Sequence, residues 1–255
     1  MDANLIADLQ MPFPTASGRG VKVAVIDSGV NAAHPHILGQ VKTIMLGAAH
    51  SGESEEDRLG HGTAVIAAIQ EKAPDAEYFA VKLFGSSLRA TTSLLIEAIE
   101  WAVENRMDVI NLSLGTGKIE ARERFQALVD RARSAGSVLV SARVNNLHPM
   151  LPGSLPQVIG VDVDWNVPRN RYRIETTEGS CAFFASGYPR SLPGVPRERN
   201  LNGISFAVAN MSGFVARACE LVRVRSFDTI CSALAAEISS GATKSSASAC
   251  AVSAE

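Results

Sequence analysis

Nowhere in this chain of 255 residues does an apolar run approach the roughly 18 positions that a membrane span requires, so no membrane partner is expected. Charge of one sign is not in excess either. Lys and Arg number 24 against 26 Asp and Glu, and a net charge of −2 offers a polyanion no long-range attraction, so no nucleic-acid partner is expected. Cysteine is scarce. Cys181, Cys219, Cys231 and Cys250 all lie in the last third at spacings that match no zinc or redox pattern, and reduced, mostly buried thiols are expected. The first twenty residues carry Asp2 and Asp8, no basic residue before Arg19 and no apolar stretch of the secretory kind. A cytoplasmic location is the expectation that follows. With 46% hydrophobic and 20% charged residues, the composition also excludes disorder for the bulk of the chain.

What is present is an alternation. Short β-rich runs, Val21 to Asp27, Ala76 to Phe84, Asp108 to Gly115, Ser137 to Ala142 and Gln157 to Val163, are separated by longer segments of helical period. His61 to Ala73, Thr91 to Arg106 and Ala121 to Ala135 place apolar residues on one face, as Leu95, Ala98, Ile99, Ala102 and Val103 do in the second. A last long helix is predicted from about Ser205 to Val222, with Phe206, Ala207, Ala218 and Cys219 buried. Such alternation predicts an α/β fold with a mostly parallel central sheet and helices on both faces. Residues 51–60 and 188–202 read as surface loops. One domain over residues 1–238 and a flexible Ser/Ala-rich tail over 239–255 is the simplest division.

Three local patterns carry chemistry. Asp27 closes a buried strand and is followed by Ser28-Gly29, at the sheet edge where open α/β folds place their sites; capping a turn is its bland role. Gly60-His61-Gly62-Thr63 precedes a helical segment, and a histidine between small neighbours is closely approachable, with a natural pKa suited to a general base. His34, His36, His50 and His148 adjoin prolines or turn residues and need only a surface role. Asn202-Gly203-Ile204-Ser205 enters the last long helix. There a serine has backbone N–H groups and the positive helix end beside it, although serine is also an ordinary N-cap. The order Asp, His, Ser separates one solution to serine-based hydrolysis from two others, which run His-Asp-Ser and Ser-Asp-His.

On these residues the chain resembles the subtilisin-like serine peptidases, the subtilases. VAVIDSGV is similar to the family's aspartate motif, GHGTAVIAAI to its histidine motif and NGISFAVANMSGFVA to its serine motif, over Val21 to about Val222. DVINLSLG resembles the strand whose end walls the substrate backbone, which implies a substrate-binding role for Ser113, Leu114 and Gly115. SVLVSARVNN resembles the strand that ends in the oxyanion-hole asparagine, which implies that role for Asn145, with Asn146 as the register alternative. LPGSLP, Leu151 to Pro156, resembles the specificity-pocket loop and adds Gly153; Met150 and Arg143 nearby suggest a narrowed first pocket. The resemblance implies the subtilisin-like three-layer fold and a serine endopeptidase acting through Asp27, His61 and Ser205, with no cofactor or metal required for the chemistry.

Departures from the family pattern are Val144 for glycine, Ile204 for threonine and Ala209 for proline. They motivate a rival expectation, an inactive pseudoprotease that serves as a peptide-binding module. A nucleotide- or phosphoacceptor-binding protein with Asp27 as its acid is a third, and it lacks a glycine-rich phosphate loop after the first strand. Because Asp27 lies only 26 residues from Met1, no inhibitory prosegment is expected. Selective processing of one protein or peptide, with a separate regulatory partner as an option, fits that expectation. The acidic run Glu53, Glu55, Glu56, Asp57 reads as a solvated face, a source of local potential for basic substrates or a loose calcium site without regular ligand spacing. Arg169, Arg171 and Arg173 alternate as on a solvated strand face.

Overall fold

β-Branched and aliphatic residues buried on both sides leave a strand no solvent face, which is why the apolar runs assemble into a parallel sheet rather than hairpins. The computed structural model describes residues 11–46, 56–83, 90–145, 148–177 and 180–250, with side chains at all of these except 145, 177, 180 and 240–250. Its strands in chain order are β1 (Lys22–Asp27), β2 (Val41–Met45), β3 (Glu77–Lys82), β4 (Val109–Leu112), β5 (Val138–Ala142), β6 (Val144–Asn145), β7 (His148–Pro149), β8 (Ile159–Val163), β9 (Tyr172–Thr177) and β10 (Ser180–Ala185). Eight of them form one sheet in the order β2-β3-β1-β4-β5-β8-β10-β9, parallel throughout except for the β9–β10 pair. β6 and β7 make a separate two-stranded ribbon.

Helices α1 (His61–Gln70) and α4 (Ile204–Leu221) pack on one face, and α2 (Thr92–Glu104) and α3 (Arg122–Ala135) on the other. The alternation along β1 shows the division. Val23 and Val25 join Ile66 and Phe214 in one apolar cluster, whereas Ala24 and Ile26 join Ile99 and Phe125 in the second. The result is three layers, as the alternating sequence pattern predicts.

Element ends have local causes. α1 stops at Gln70 rather than Ala73, because a residue preceding proline is driven out of helical geometry and Ala73 precedes Pro74. α2 starts after Thr91, whose hydroxyl accepts from the Leu94 N–H at 3.2 Å. β2 and the β9–β10 hairpin are absent from the sequence expectations. All three lie at or near sheet edges, where burial is incomplete and the apolar run is correspondingly weak. Helix α5 (Phe227–Cys250) runs on into residues that composition reads as a tail; residues 251–255 lie outside the described part.

In the row of arginines read as a solvated face, Arg169 and Arg173 are ion-paired with 22% and 42% of their side chains still exposed. Arg169 binds Glu71, and Arg173 bridges Asp164 and Glu175 with its guanidinium 4.0 Å from the centre of the Phe184 ring. The expectation of mostly buried thiols also needs correction: Cys219 is buried, Cys231 half-buried and Cys181 exposed, all three free.

Candidate active site

β1 is flanked by β3 on one side and β4 on the other, so chain connections diverge from it and its carboxyl end opens a crevice. Asp27 stands at that end and is 1% exposed. Its Oδ1 accepts from the Ser28 N–H at 2.8 Å and lies 2.8 Å from His61 Nδ1. A carboxylate can only accept, so Nδ1 carries the proton and Nε2 of the neutral ring is left as the acceptor.

His61 is the first residue of α1, and the glycines on either side of it have different reasons. Gly60, the N-cap, has φ 73, a left-handed conformation costly for other residues. Gly62 has no room, since a Cβ there would sit 2.3 Å from the Gly29 carbonyl oxygen. The bare backbone lets the start of α1 abut the Asp27-Ser28-Gly29 turn. Burial lowers the His61 pKa, but the hydrogen bond to Asp27 and the charges of Asp27 and Asp57 outweigh it, and the net direction is upward.

Ser205 is the second residue of α4, and the cap position belongs to Gly203 at φ 141, again a conformation that suits glycine. The ordinary N-cap role considered from sequence therefore falls away. Ser205 Oγ donates instead to the Ser113 carbonyl at 3.2 Å, and the Ser113 hydroxyl donates to Asn111 Oδ1 at 3.0 Å. The next residue, Phe206, packs its ring 5.6 Å from that of His61. Thus Asp27 and His61 are hydrogen-bonded, the neighbour of Ser205 packs on the His61 ring, and no hydrogen bond among the described residues joins Ser205 to His61.

Residues 113–115 continue beyond β4. Thr116 forms an isolated bridge with Leu151, and a Cβ on Gly115 would come within 2.8 Å of the Leu151 carbonyl oxygen. Gly153 is tighter still, its Cβ position 1.9 Å from the Ala142 carbonyl oxygen. The segments 113–116 and 150–153 therefore run side by side at the same sheet edge. Asn145 closes β6 with its backbone opposite His148; its side chain, like residue 146, lies outside the described part. Arg143 is committed elsewhere, its Nε donating to Asp162 at 2.8 Å and its stem passing over Gly160. Ile204 packs against the large core cluster, and Ala209 is buried within an uninterrupted α4.

The sequence reading missed Asp57. Placed in an acidic run read as solvated, it is 7% exposed and accepts five hydrogen bonds. The available signal was its position three residues before Gly60, where it meets the N–H of Thr63 in the first turn of α1 and those of Leu59 and Gly60 just before the helix. Among the described residues no cluster of three or more His, Cys, Asp or Glu side chains could hold a metal ion, and Glu53 and Glu55 lie outside them.

An open α/β sheet with a buried Asp–His pair at its carboxyl edge and a serine leading the adjoining helix has the arrangement of a serine-hydrolase site. The chain belongs to the subtilase family, whose pattern matches residues 18–224. It is 33% identical to subtilisin DY of Bacillus licheniformis over 222 residues, covering 78% of this chain and 76% of that protein. Subtilisin E of Bacillus subtilis (strain 168) is 39% identical over 144 residues, 51% of this chain; the match takes in only 35% of subtilisin E. Among solved structures, the prenylagaramide maturation protease PagA superposes with TM-score 0.60 at 26% identity, covering 79% of this chain and 76% of that one. A lanthipeptide protease superposes with TM-score 0.66 at 18% identity, over 86% of this chain and 80% of the other, a likeness of fold alone.

Proposed function

We propose that the protein is a serine endopeptidase that cleaves peptide bonds through an acyl-enzyme. The observation that carries this reading is the 2.8 Å contact between Asp27 Oδ1 and His61 Nδ1, which turns the basic Nε2 away from the carboxylate. Ser205 Oγ attacks the substrate carbonyl as His61 Nε2 takes its proton, and Asp27 supports the imidazolium that forms. His61 then gives that proton to the departing amine, and water repeats the cycle in reverse to release the acid. The tetrahedral oxyanion is met by the Ser205 backbone N–H at the positive end of α4 and by the Asn145 amide. Every group in this sequence belongs to the protein, so no cofactor or metal enters it.

Before attack, Ser205 Oγ must leave the Ser113 carbonyl. A substrate strand laid along residues 113–115 competes for that carbonyl, so binding itself frees the hydroxyl to turn toward His61. Hydrogen bonds of this kind are often misaligned until substrate is bound.

The substrate assigned here is a specific protein or peptide precursor rather than bulk protein. Support comes from PagA, a maturation protease by its description and 26% identical. A reducing compartment suits the three free cysteines among the described residues.

The test is labelling with a fluorophosphonate, which reacts only with an activated serine, followed by a peptide library cleaved by the wild type and by Ser205→Ala. Labelling and cleavage that both vanish in Ser205→Ala are expected. A wild-type protein that binds library peptides without labelling would establish the pseudoprotease reading instead.

A further inference from the structure

The loop before α1 is organised around one carboxylate. Asp57 Oδ1 accepts from the Ser28 hydroxyl at 2.8 Å and from the Leu59 and Gly60 N–H groups at 3.0 and 2.9 Å. Its Oδ2 accepts from the Thr63 N–H at 2.8 Å and the Thr63 hydroxyl at 2.7 Å. Both partners pass the connection on. Ser28 Oγ in turn accepts from the Gly62 N–H at 2.9 Å, and Thr63 Oγ1 from the Asn31 N–H at 2.9 Å. The backbone of the loop is held as well, with Asp57 N–H donating to the Val30 carbonyl and the Lys82 ammonium reaching the Glu56 carbonyl at 2.8 Å.

This is more than a cap for α1 would require. A cap satisfies one or two N–H groups of its own helix. Asp57 also grips the hydroxyl of Ser28, next to Asp27, while its other oxygen holds Thr63, two residues after His61, so it ties together the two segments that carry the pair. At 7% exposure its charge is poorly screened by solvent.

We propose that Asp57 is a positioning residue for the general base: it locks the loop that carries His61 onto the strand end that carries Asp27, and adds a second negative charge in support of the imidazolium. The proposal rests on the reading of His61 as the base. The charged groups facing His61 are Asp27 from the end of β1 and Asp57 from the loop; α4 presents the apolar ring of Phe206. Both carboxylates act in the same direction, upward, on the affinity of the ring for a proton.

The test is the rate of inactivation by a fluorophosphonate as a function of pH, for the wild type, Asp57→Asn and Thr63→Val. This rate needs the neutral imidazole and no knowledge of the substrate. In Asp57→Asn that folds by circular dichroism, the acid limb is expected to move to lower pH by about half a unit or more, since the ring loses one supporting charge. The plateau rate is expected to fall roughly ten- to a hundredfold from lost alignment. Thr63→Val removes one hydroxyl strut and keeps the charge, so its limb stays in place while its plateau drops by about three- to tenfold. A folded Asp57→Asn with an unmoved limb overturns the proposal. If Asp57→Asn does not fold, Thr63→Val decides, and a wild-type plateau there overturns it. A wild-type protein that fails to label at any pH defeats the peptidase reading instead, a result distinct from either.

Discussion

Asp27 Oδ1 and His61 Nδ1 lie 2.8 Å apart across the join between β1 and α1, with Asp27 almost wholly removed from solvent. An amide in place of that carboxylate can present N–H to the ring, which then moves its proton to Nε2 and loses the basic nitrogen. Asp27→Asn is therefore expected to lower turnover by about 10⁴ with the protein still folded. Steady-state cleavage of a library-selected peptide, beside a thermal melt, checks both halves.

The pH profile carries its own prediction. His61 must be neutral to accept a proton, and its pKa is raised because Asp27 and Asp57 outweigh the effect of burial. The midpoint of the acid limb of kcat/KM should then lie above the ordinary histidine value of about 6.5, at the upper side of the range a free side chain would set. A midpoint well below 6 would contradict the pairing.

Gly62→Ala tests the close approach of α1 to the β1 turn. The added methyl would stand 2.3 Å from the Gly29 carbonyl oxygen, a backbone atom that cannot swing aside. Destabilisation of about 1–3 kcal/mol is expected, together with loss of fluorophosphonate labelling as the His61 ring is pushed from Asp27. Urea denaturation and labelling of the same sample read the two effects.

Lys72 predicts an unusual pH dependence of stability. Fully buried, with its ammonium 3.1 Å from Glu71 and 5.6 Å from the centre of the Phe214 ring, it has its pKa lowered by burial from 10.5 to about 8. The folded protein thus sheds this proton earlier than the unfolded chain. Between pH 8 and 10.5 the unfolded state binds more protons, so this group's contribution to stability rises with pH and its penalty is fully present below 8. Lys72→Met keeps the packing on Phe214 and leaves Glu71 paired with Arg169. It should be more stable than the wild type at pH 7, by on the order of 3 kcal/mol, with the gap narrowing by pH 10.5. Urea midpoints at the two pH values decide it.

The parts of this architecture that were legible beforehand share a physical property: full burial. β1, β4 and β5 are covered on both faces and so read as unbroken apolar runs, and the helical period of α2 survives because only one face meets the sheet. β2 and β9 escaped notice because edge strands are half exposed and their composition is mixed, and β10, one place in from the edge, went with its hairpin partner β9. Asp57 escaped for a related reason. Its neighbours Glu56, Glu55 and Glu53 make the stretch look solvated and hide the capping position of Asp57, which turns inward to find five donors. Arg143 and Arg169 show the same limit, because an arginine's acidic partner on another element leaves no trace in local sequence. Ile204, one of the departures from the family pattern, is half-buried and packs against the large core cluster.

α4 is buried along most of its 18 residues, with Gly213 set close against the Lys72 stem, and it brings Ser205 to the sheet edge from the far end of the chain. Ser205 is thus carried by a helix buried between the sheet and its neighbours on one face. Ser205 follows Asp27 by 178 residues and His61 by 144, so the three come from widely separated stretches of chain. Only the assembled sheet and helices bring them near one another, so unfolding in urea is expected to scatter them and to abolish fluorophosphonate labelling in step with the loss of tertiary structure.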